Sequence, residues 1–150
     1  MTIACSALTL SQRLRLHIRF VTKTGFSIDH DVAREFVRIR LFGFFSVGDI
    51  ERFEAELLSV HRRMGSGHRG GPLTITDVTE MSIQSQEVVT RWGEFLANPN
   101  HRSRRLAFVT GSTLARMQLE RASAGRGARV FTDAAEAERW LFTVEPTAGV

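Results

Sequence analysis

The chain has 150 residues, enough for a single domain with a substantial core. Hydrophobic residues make up 43% of the chain and charged residues 24%, proportions typical of a globular protein. The single cysteine, Cys5, excludes an internal disulfide and a zinc site built on several cysteines, and no apolar run approaches the about 20 residues that a transmembrane helix needs.

The formal net charge of +4 is confined to the start of the chain. Residues 1–25 contain four basic side chains and no acidic one, whereas residues 26–150 contain 16 basic and 16 acidic side chains. Because the rest of the chain is neutral, the charge does not indicate a nucleic-acid partner.

The basic N-terminal segment, residues 1–25, includes the alternating stretch "LRLHIRF". Such alternation fits a strand or a basic segment at a membrane surface. It does not fit a signal peptide, because the arginines follow the apolar stretch. We interpret residues 1–25 as a poorly ordered arm or a mis-annotated start, residues 26–143 as the domain, and residues 144–150 as a loose tail.

The domain opens with two predicted strands and a helix. Apolar and polar residues alternate in residues 26–30 and 36–45, and this pattern predicts an antiparallel hairpin. In residues 46–65 apolar residues recur every three or four positions, which predicts a helix capped by Ser46 or Asp49 and ended by Gly65.

Strands and helices then alternate. The remaining predicted elements are a strand at 73–78, a helix at 85–99, a strand at 104–111, a helix at 112–125 with Leu114, Met117 and the stem of Arg121 along it, a strand at 128–131 and a helix at 133–142. This order predicts an α/β domain with a five-stranded mixed sheet, right-handed crossovers and four helices.

The same order, together with "RRLAFVTG" and "ARVFTDAAEAERWL", resembles the STAS-like family of bacterial domains, which is related to anti-sigma-factor antagonists. The ending is most similar to the SpoIIAA-like branch. The positions that carry this similarity are Phe131, Thr132, Ala137, Trp140 and Leu141. The resemblance covers residues 26–142, and it implies a single STAS-like domain with a regulatory or protein-binding function, including the anti-sigma-antagonist role.

Ser85 lies at the position that resembles the regulated serine of the antagonists, which a kinase-type anti-sigma factor phosphorylates. Asp77 is expected to end the third strand, and alignment on it places Gln84-Ser85-Gln86-Glu87 at the antagonist motif, without the flanking Asp and Gly of that motif. A phosphate at a helix N-terminus is favoured by free N–H groups. The commoner role, which we favour, is an N-cap formed by Ser82 or Ser85.

A second turn is predicted at the carboxyl end of the next strand, where Gly111, Ser112 and Thr113 precede a helix. Ligands of open α/β sheets usually bind at that edge, although capping by Ser112 or Thr113 is the commoner role. The predicted partner-binding surface therefore combines Asp77, Ser82, Gln84 and Ser85 with this turn. Asp77 is expected to fix the turn that follows its strand.

Three phenylalanines, Phe42, Phe44 and Phe45, form a candidate apolar surface before the first helix. They support an alternative function, the binding of a small ligand or lipid. Trp140, in the closing helix, is expected to be a buried core residue.

No catalytic or metal-binding pattern is present in the sequence. The five histidines lack the spacing of a zinc site, and no nucleophile–base set can be identified. We therefore expect a cytoplasmic, non-enzymatic module without a metal or cofactor, whose partner is another protein, and the sequence leaves its oligomeric state open.

Overall fold

The computed structural model of the chain describes residues 24–65 and 70–143. The predictions for residues 1–23, 66–69 and 144–150 lie outside this part of the chain. The elements in chain order are β1 (Gly25–Asp31), β2 (Phe36–Gly43), α1 (Val47–Met64), β3 (Leu73–Met81), α2 (Gln86–Ala97), a short 3-10 turn (Pro99–His101), β4 (Arg105–Val109), α3 (Thr113–Ala122), β5 (Arg129–Phe131) and α4 (Ala134–Phe142).

The five strands form one sheet in the order β1-β2-β3-β4-β5. β1 and β2 are antiparallel, and the other neighbouring pairs are parallel. Because each crossover joins adjacent strands with the same hand, the three crossover helices α1, α2 and α3 lie on one face. α4 covers the other face. The predicted five-stranded mixed sheet with an opening hairpin and four helices is confirmed.

The larger core lies between the sheet and the three crossover helices. Along β2, Val37, Ile39 and Leu41 are buried on this face, while the intervening arginines are exposed, as the alternation predicted. Phe53 of α1 is at its centre, and its ring lies 5.4 Å from each of the rings of Phe26, Trp92 and Phe95. Aromatic clusters of this kind dominate core energetics because each ring buries a large apolar area.

The smaller core lies under α4. It contains seven buried residues, namely Phe36, Leu73, Ile75, Ala107, Val109, Ala137 and Leu141. The expectation that Trp140 is a buried core residue is wrong, because the ring is only half-buried and lies at the β5 edge, 5.6 Å from the ring of Phe131. The guanidinium of Arg105 lies 5.4 Å from the Trp140 ring and donates to the Trp140 carbonyl at 2.7 Å.

The domain begins two residues earlier than predicted. β1 starts at Gly25, and the Thr24 hydroxyl donates to the Phe44 carbonyl at 2.9 Å and accepts from the Phe44 N–H at 3.1 Å. Thr24 and Gly25 were predicted to belong to the extension, but they form part of the sheet region.

The ends of β2 and β3 also differ from the prediction. β2 ends at Gly43, two residues before the predicted position, because the positive φ of 86° at Gly43 turns the chain out of the strand. β3 continues to Met81, so Asp77 lies inside the strand and does not end it. The pairing register shifts between Arg40 and Phe42, and the Asp77 carboxylate accepts from the Thr79 N–H at 2.9 Å in this irregular segment. Its bond to the following backbone therefore stabilises a bulge and not a turn.

We expect the two aromatic positions to respond differently to truncation. Phe53→Ala should lower the free energy of unfolding by about 3–5 kcal/mol, because it opens a cavity at the centre of the larger core. Trp140→Ala should cost less than half of that, because part of the ring is already in contact with solvent. Urea unfolding of both variants measures the difference, and equal losses would show that Trp140 is packed as tightly as Phe53.

Candidate functional site

Three turns meet at the carboxyl edge of the sheet, because the parallel strands end there. They are the β2–α1 turn (residues 43–46), the β3–α2 turn (residues 82–85) and the β4–α3 turn (residues 110–112). The first two are joined directly, since the Ser82 N–H donates to the Gly43 carbonyl at 3.0 Å. The predicted partner-binding residues of the second and third turns therefore lie at one edge.

The buried amide of Gln84, 8% exposed, links these segments. Its Oε1 accepts from the Phe45 N–H at 2.9 Å, and its Nε2 donates to the Gly43 carbonyl at 3.1 Å and to the Ser82 carbonyl. Gln118 of α3 donates to the Gln84 backbone carbonyl at 3.4 Å. Gln84 was predicted as a partner contact, but its burial and its three side-chain bonds make it a structural residue.

Ser85 is the N-cap of α2. Its Oγ accepts from the Val88 N–H at 3.3 Å, and the side chain is otherwise exposed to solvent. Of the two predicted caps, Ser85 occupies the position, whereas Ser82 is an exposed residue of the preceding turn. The cap leaves the hydroxyl accessible, so modification of Ser85 stays a prediction.

The turn before α3 is also organised by capping. Ser112 accepts from the Ala115 N–H at 3.3 Å, and the Ser112 N–H donates to the Thr110 hydroxyl at 3.3 Å. Gly111, Ser112 and Thr113 are all exposed. Ser112 is therefore the predicted cap, and the exposed positions beside it leave this part of the edge open to a partner.

Four exposed apolar side chains, together called the apolar patch here, lie on the segments that Gln84 and Gln118 link. The patch consists of Phe44, Ile83, Leu114 and Met117, which are between 43% and 56% exposed. Phe44 and Ile83 are direct neighbours of residues in the Gln84 network, and the other two lie on the helix of Gln118. Val32, 53% exposed, lies in the β1–β2 turn at the opposite end of the hairpin.

The structure corrects the prediction of a three-phenylalanine surface. Of the three candidates only Phe44 is exposed, because Phe45 is 1% exposed in the larger core and Phe42 is half-buried. Leu114 and Met117, which were predicted along this helix, are exposed, whereas Leu119 and Ala122 of α3 pack against the larger core.

Sequence reasoning missed a buried polar cluster on the same face of the sheet. His101 Nε2 lies 2.7 Å from one carboxylate oxygen of Glu54, and Arg91 lies 2.5 Å from the other. Burial raises the pKa of Glu54, but the hydrogen bonds and charges of His101 and Arg91 outweigh it, so the pKa is lowered. The cluster links the 3-10 turn, through His101, to Glu54 of α1 and Arg91 of α2. No spacing of residues in the sequence predicts it.

Within residues 24–65 and 70–143 the structure contains no group of three or more His, Cys, Asp or Glu side chains that could hold a metal ion. None of the helices in this part of the chain is long and apolar enough to cross a membrane.

Comparisons with known proteins identify the fold. No protein-family model and no curated protein matches the sequence. An uncharacterized protein of the DUF3478 family with a SpoIIAA-like fold, from Shewanella loihica, aligns with a TM-score of 0.63 and 16% identity over 80% of this chain and 96% of that one. An anti-sigma factor antagonist from Mycobacterium paratuberculosis aligns with a TM-score of 0.55 and 9% identity over 79% and 94%. The chain therefore has a STAS-like, SpoIIAA-like fold, as the resemblance predicted.

We expect Gln84→Glu to destabilise the domain by about 1–3 kcal/mol, the usual cost of leaving buried polar groups unpaired. The substitution keeps the shape of the side chain but replaces its donor with a carboxylate oxygen that faces two carbonyls. Gln86→Glu, the same change at an exposed position of α2, is the control. Urea unfolding compares the two, and equal stability would mean that Gln84 does not link the turns.

The stability of the domain should also fall as the pH is lowered through about 6.5, the pKa of histidine in unfolded chains. Burial lowers the pKa of His61, as does nearby His101, while a hydrogen bond with the Asn100 backbone opposes them. Below about pH 6.5 the unfolded chain therefore binds a proton that the folded state resists, which favours unfolding. The contribution of His61 to the free energy of unfolding is therefore complete above about pH 6.5.

Urea unfolding at pH 7, 6 and 5 tests the role of His61. His61→Gln should flatten the decline in stability, whereas His30→Gln, at an exposed position of β1, should leave it unchanged. An identical decline in wild type and His61→Gln would contradict the assignment.

Proposed function

We propose that this domain is a non-enzymatic protein-binding module that docks a partner protein on the exposed apolar patch. The observation that supports this function is the position of Phe44, Ile83, Leu114 and Met117 around the Gln84-linked edge. Several exposed apolar side chains on linked segments favour an interaction surface, because water exposure of such groups is unfavourable. The similarity in fold to an anti-sigma factor antagonist supports a regulatory role for the docking.

The edge suits docking because it is held rigid before a partner arrives. The Gln84 bonds fix the β2–α1 and β3–α2 turns relative to each other, and Gln118 adds α3. A preordered surface loses less conformational entropy on binding than a mobile one. Exposed polar groups at Ser82, Ser85 and Thr113 supply hydrogen bonds at the rim of the interface.

In the finer form of the proposal, Ser85 regulates docking, and the protein acts in the cytoplasm as an anti-sigma-antagonist-like regulator. A phosphate on Ser85 would add about two negative charges beside Ile83, at the edge of the apolar patch. The N–H groups at the start of α2 would favour the phosphate locally. An apolar partner surface would lose affinity, because binding would then bury or crowd the charge.

The docking surface is tested with charge substitutions in the patch. Met117→Glu and Ile83→Glu should each prevent partner capture from the lysate of the source cell while changing the free energy of unfolding by less than about 0.5 kcal/mol, as is usual for exposed positions. Val32→Glu is the matched control, because Val32 is equally exposed but lies outside the patch. Retention of the same proteins by all three variants would contradict docking at this edge.

Three substitutions at Ser85 separate a cap from a switch. Ser85→Ala should cost about 1 kcal/mol of stability, because it removes the N-cap, whereas Ser85→Asn and Ser85→Asp retain a capping side chain. Ser85→Asp should release the captured partner and Ser85→Asn should retain it. Equal capture by the Asp and Asn variants would make Ser85 a structural cap alone, with docking itself unaffected.

A further inference from the structure

A cavity of about 90 Å³ lies between the sheet and the crossover helices. Ile39, Val78 and Phe108 line it from the strands, and Trp92, Leu119 and Ala122 line it from the helices. α3 has no fully buried side chain, and two of its residues in the cavity wall, Ala115 and Ala122, are small. The cavity extends from Gln84 at the carboxyl edge to Ser103 and Arg126 at the opposite edge.

Two buried polar atoms of residues that line this cavity lack a partner. Trp92 Nε1 and His101 Nδ1 have no hydrogen bond to any described residue. A buried unpaired polar group is unfavourable, so such atoms in native proteins are usually bonded to water or a ligand. The cavity wall is mostly apolar, and two of its residues, Trp92 and His101, each carry one unpaired nitrogen atom.

Arg126 lines the cavity as well, and its guanidinium is only partly accessible to solvent. Among residues 24–65 and 70–143, no acidic side chain forms an ion pair with it. Burial lowers the pKa of Arg126, and the charge of Arg102 lowers it further. A guanidinium group in a cavity wall, with no acidic partner among the described residues, is suited to pair with a bound anion.

We propose that this cavity binds a small monocarboxylate with an apolar body, such as a short-chain fatty acid, with the carboxylate at Arg126 and the hydrocarbon inside. This site is separate from the docking patch and does not depend on the proposed docking function. A cavity of about 150 Å³ holds benzene, so 90 Å³ suits a body of about four carbon atoms. Pentanoate has this composition. The candidate Phe42–Phe45 surface takes no part in the site, since none of its residues lines the cavity.

Tryptophan fluorescence provides a direct readout. The chain has two tryptophans, so the Trp140→Phe variant reports on Trp92 in the cavity wall. Titration with pentanoate should give a saturable change in emission. Acetate should bind at least about tenfold more weakly because it lacks three methylene groups, each worth about 0.8 kcal/mol when buried. Pentanamide, a neutral molecule of the same shape, should also bind about tenfold more weakly, because it lacks the charge.

Two further variants in this background locate the ligand. Arg126→Met should bind pentanoate no better than pentanamide, while Arg121→Met, at an exposed position of α3, should bind like the parent. Ala122→Leu should fill the cavity and abolish binding of both molecules, with far-UV circular dichroism and urea unfolding confirming that the variant is folded.

Three results would overturn the proposal: no saturable change with pentanoate, equal affinity for pentanoate in the parent and Arg126→Met, or undiminished binding by a folded Ala122→Leu variant. Because Arg126→Met leaves the cavity wall intact, its result decides the carboxylate assignment even if the Ala122 variant does not fold.

Discussion

The side-chain amide of Gln84 is the interaction on which the carboxyl edge of the sheet depends. One buried amide bonds to three backbone groups in the turns that leave β2 and β3. A glutamine suits this position because its side chain has both an acceptor and two donors, whereas a carboxylate has acceptors only. The order of the edge, and therefore the geometry of the apolar patch, follows from this bond set.

The two faces of the sheet have different physical characters. Strands in sequential order place three helices on one face, which is consequently thick and apolar, whereas α4 alone covers the other. On that second face Arg38 and Arg40 of β2 are exposed and pair with Glu138 at 3.0 Å and Glu80 at 2.5 Å. This region is charged but self-paired. The two proposed binding sites, the apolar patch and the Arg126 cavity, instead lie on the three-helix side and its carboxyl edge.

The sequence predicted what depends on local pattern. The order of the elements and the hairpin were correct, and Ser46, Ser85 and Ser112 are each one of the two caps predicted for their helices, because alternation, helical spacing and capping act over a few residues. Tertiary contacts decided the rest. Asp77 lies inside a strand because of a register shift between two strands, and Phe45 is buried by a helix that follows it. The role of Gln84 depends on bonds with Phe45 and Gln118, which are 39 and 34 positions away in the sequence. The state of Arg126 depends on the lack of an acidic partner among the described residues. No spacing in the sequence predicts either feature.

The placement of α4 has a consequence for the folding of the chain during its synthesis on the ribosome. Each crossover helix follows its strand immediately, so the three-helix side can assemble step by step as the chain emerges. The opposite side has no such order, because Phe36, Leu73 and Ile75 must wait for a helix that begins only at Ala134. During most of synthesis the nascent sheet therefore presents a bare apolar surface, which is a natural binding site for a chaperone and a liability for aggregation until the final helix closes over it.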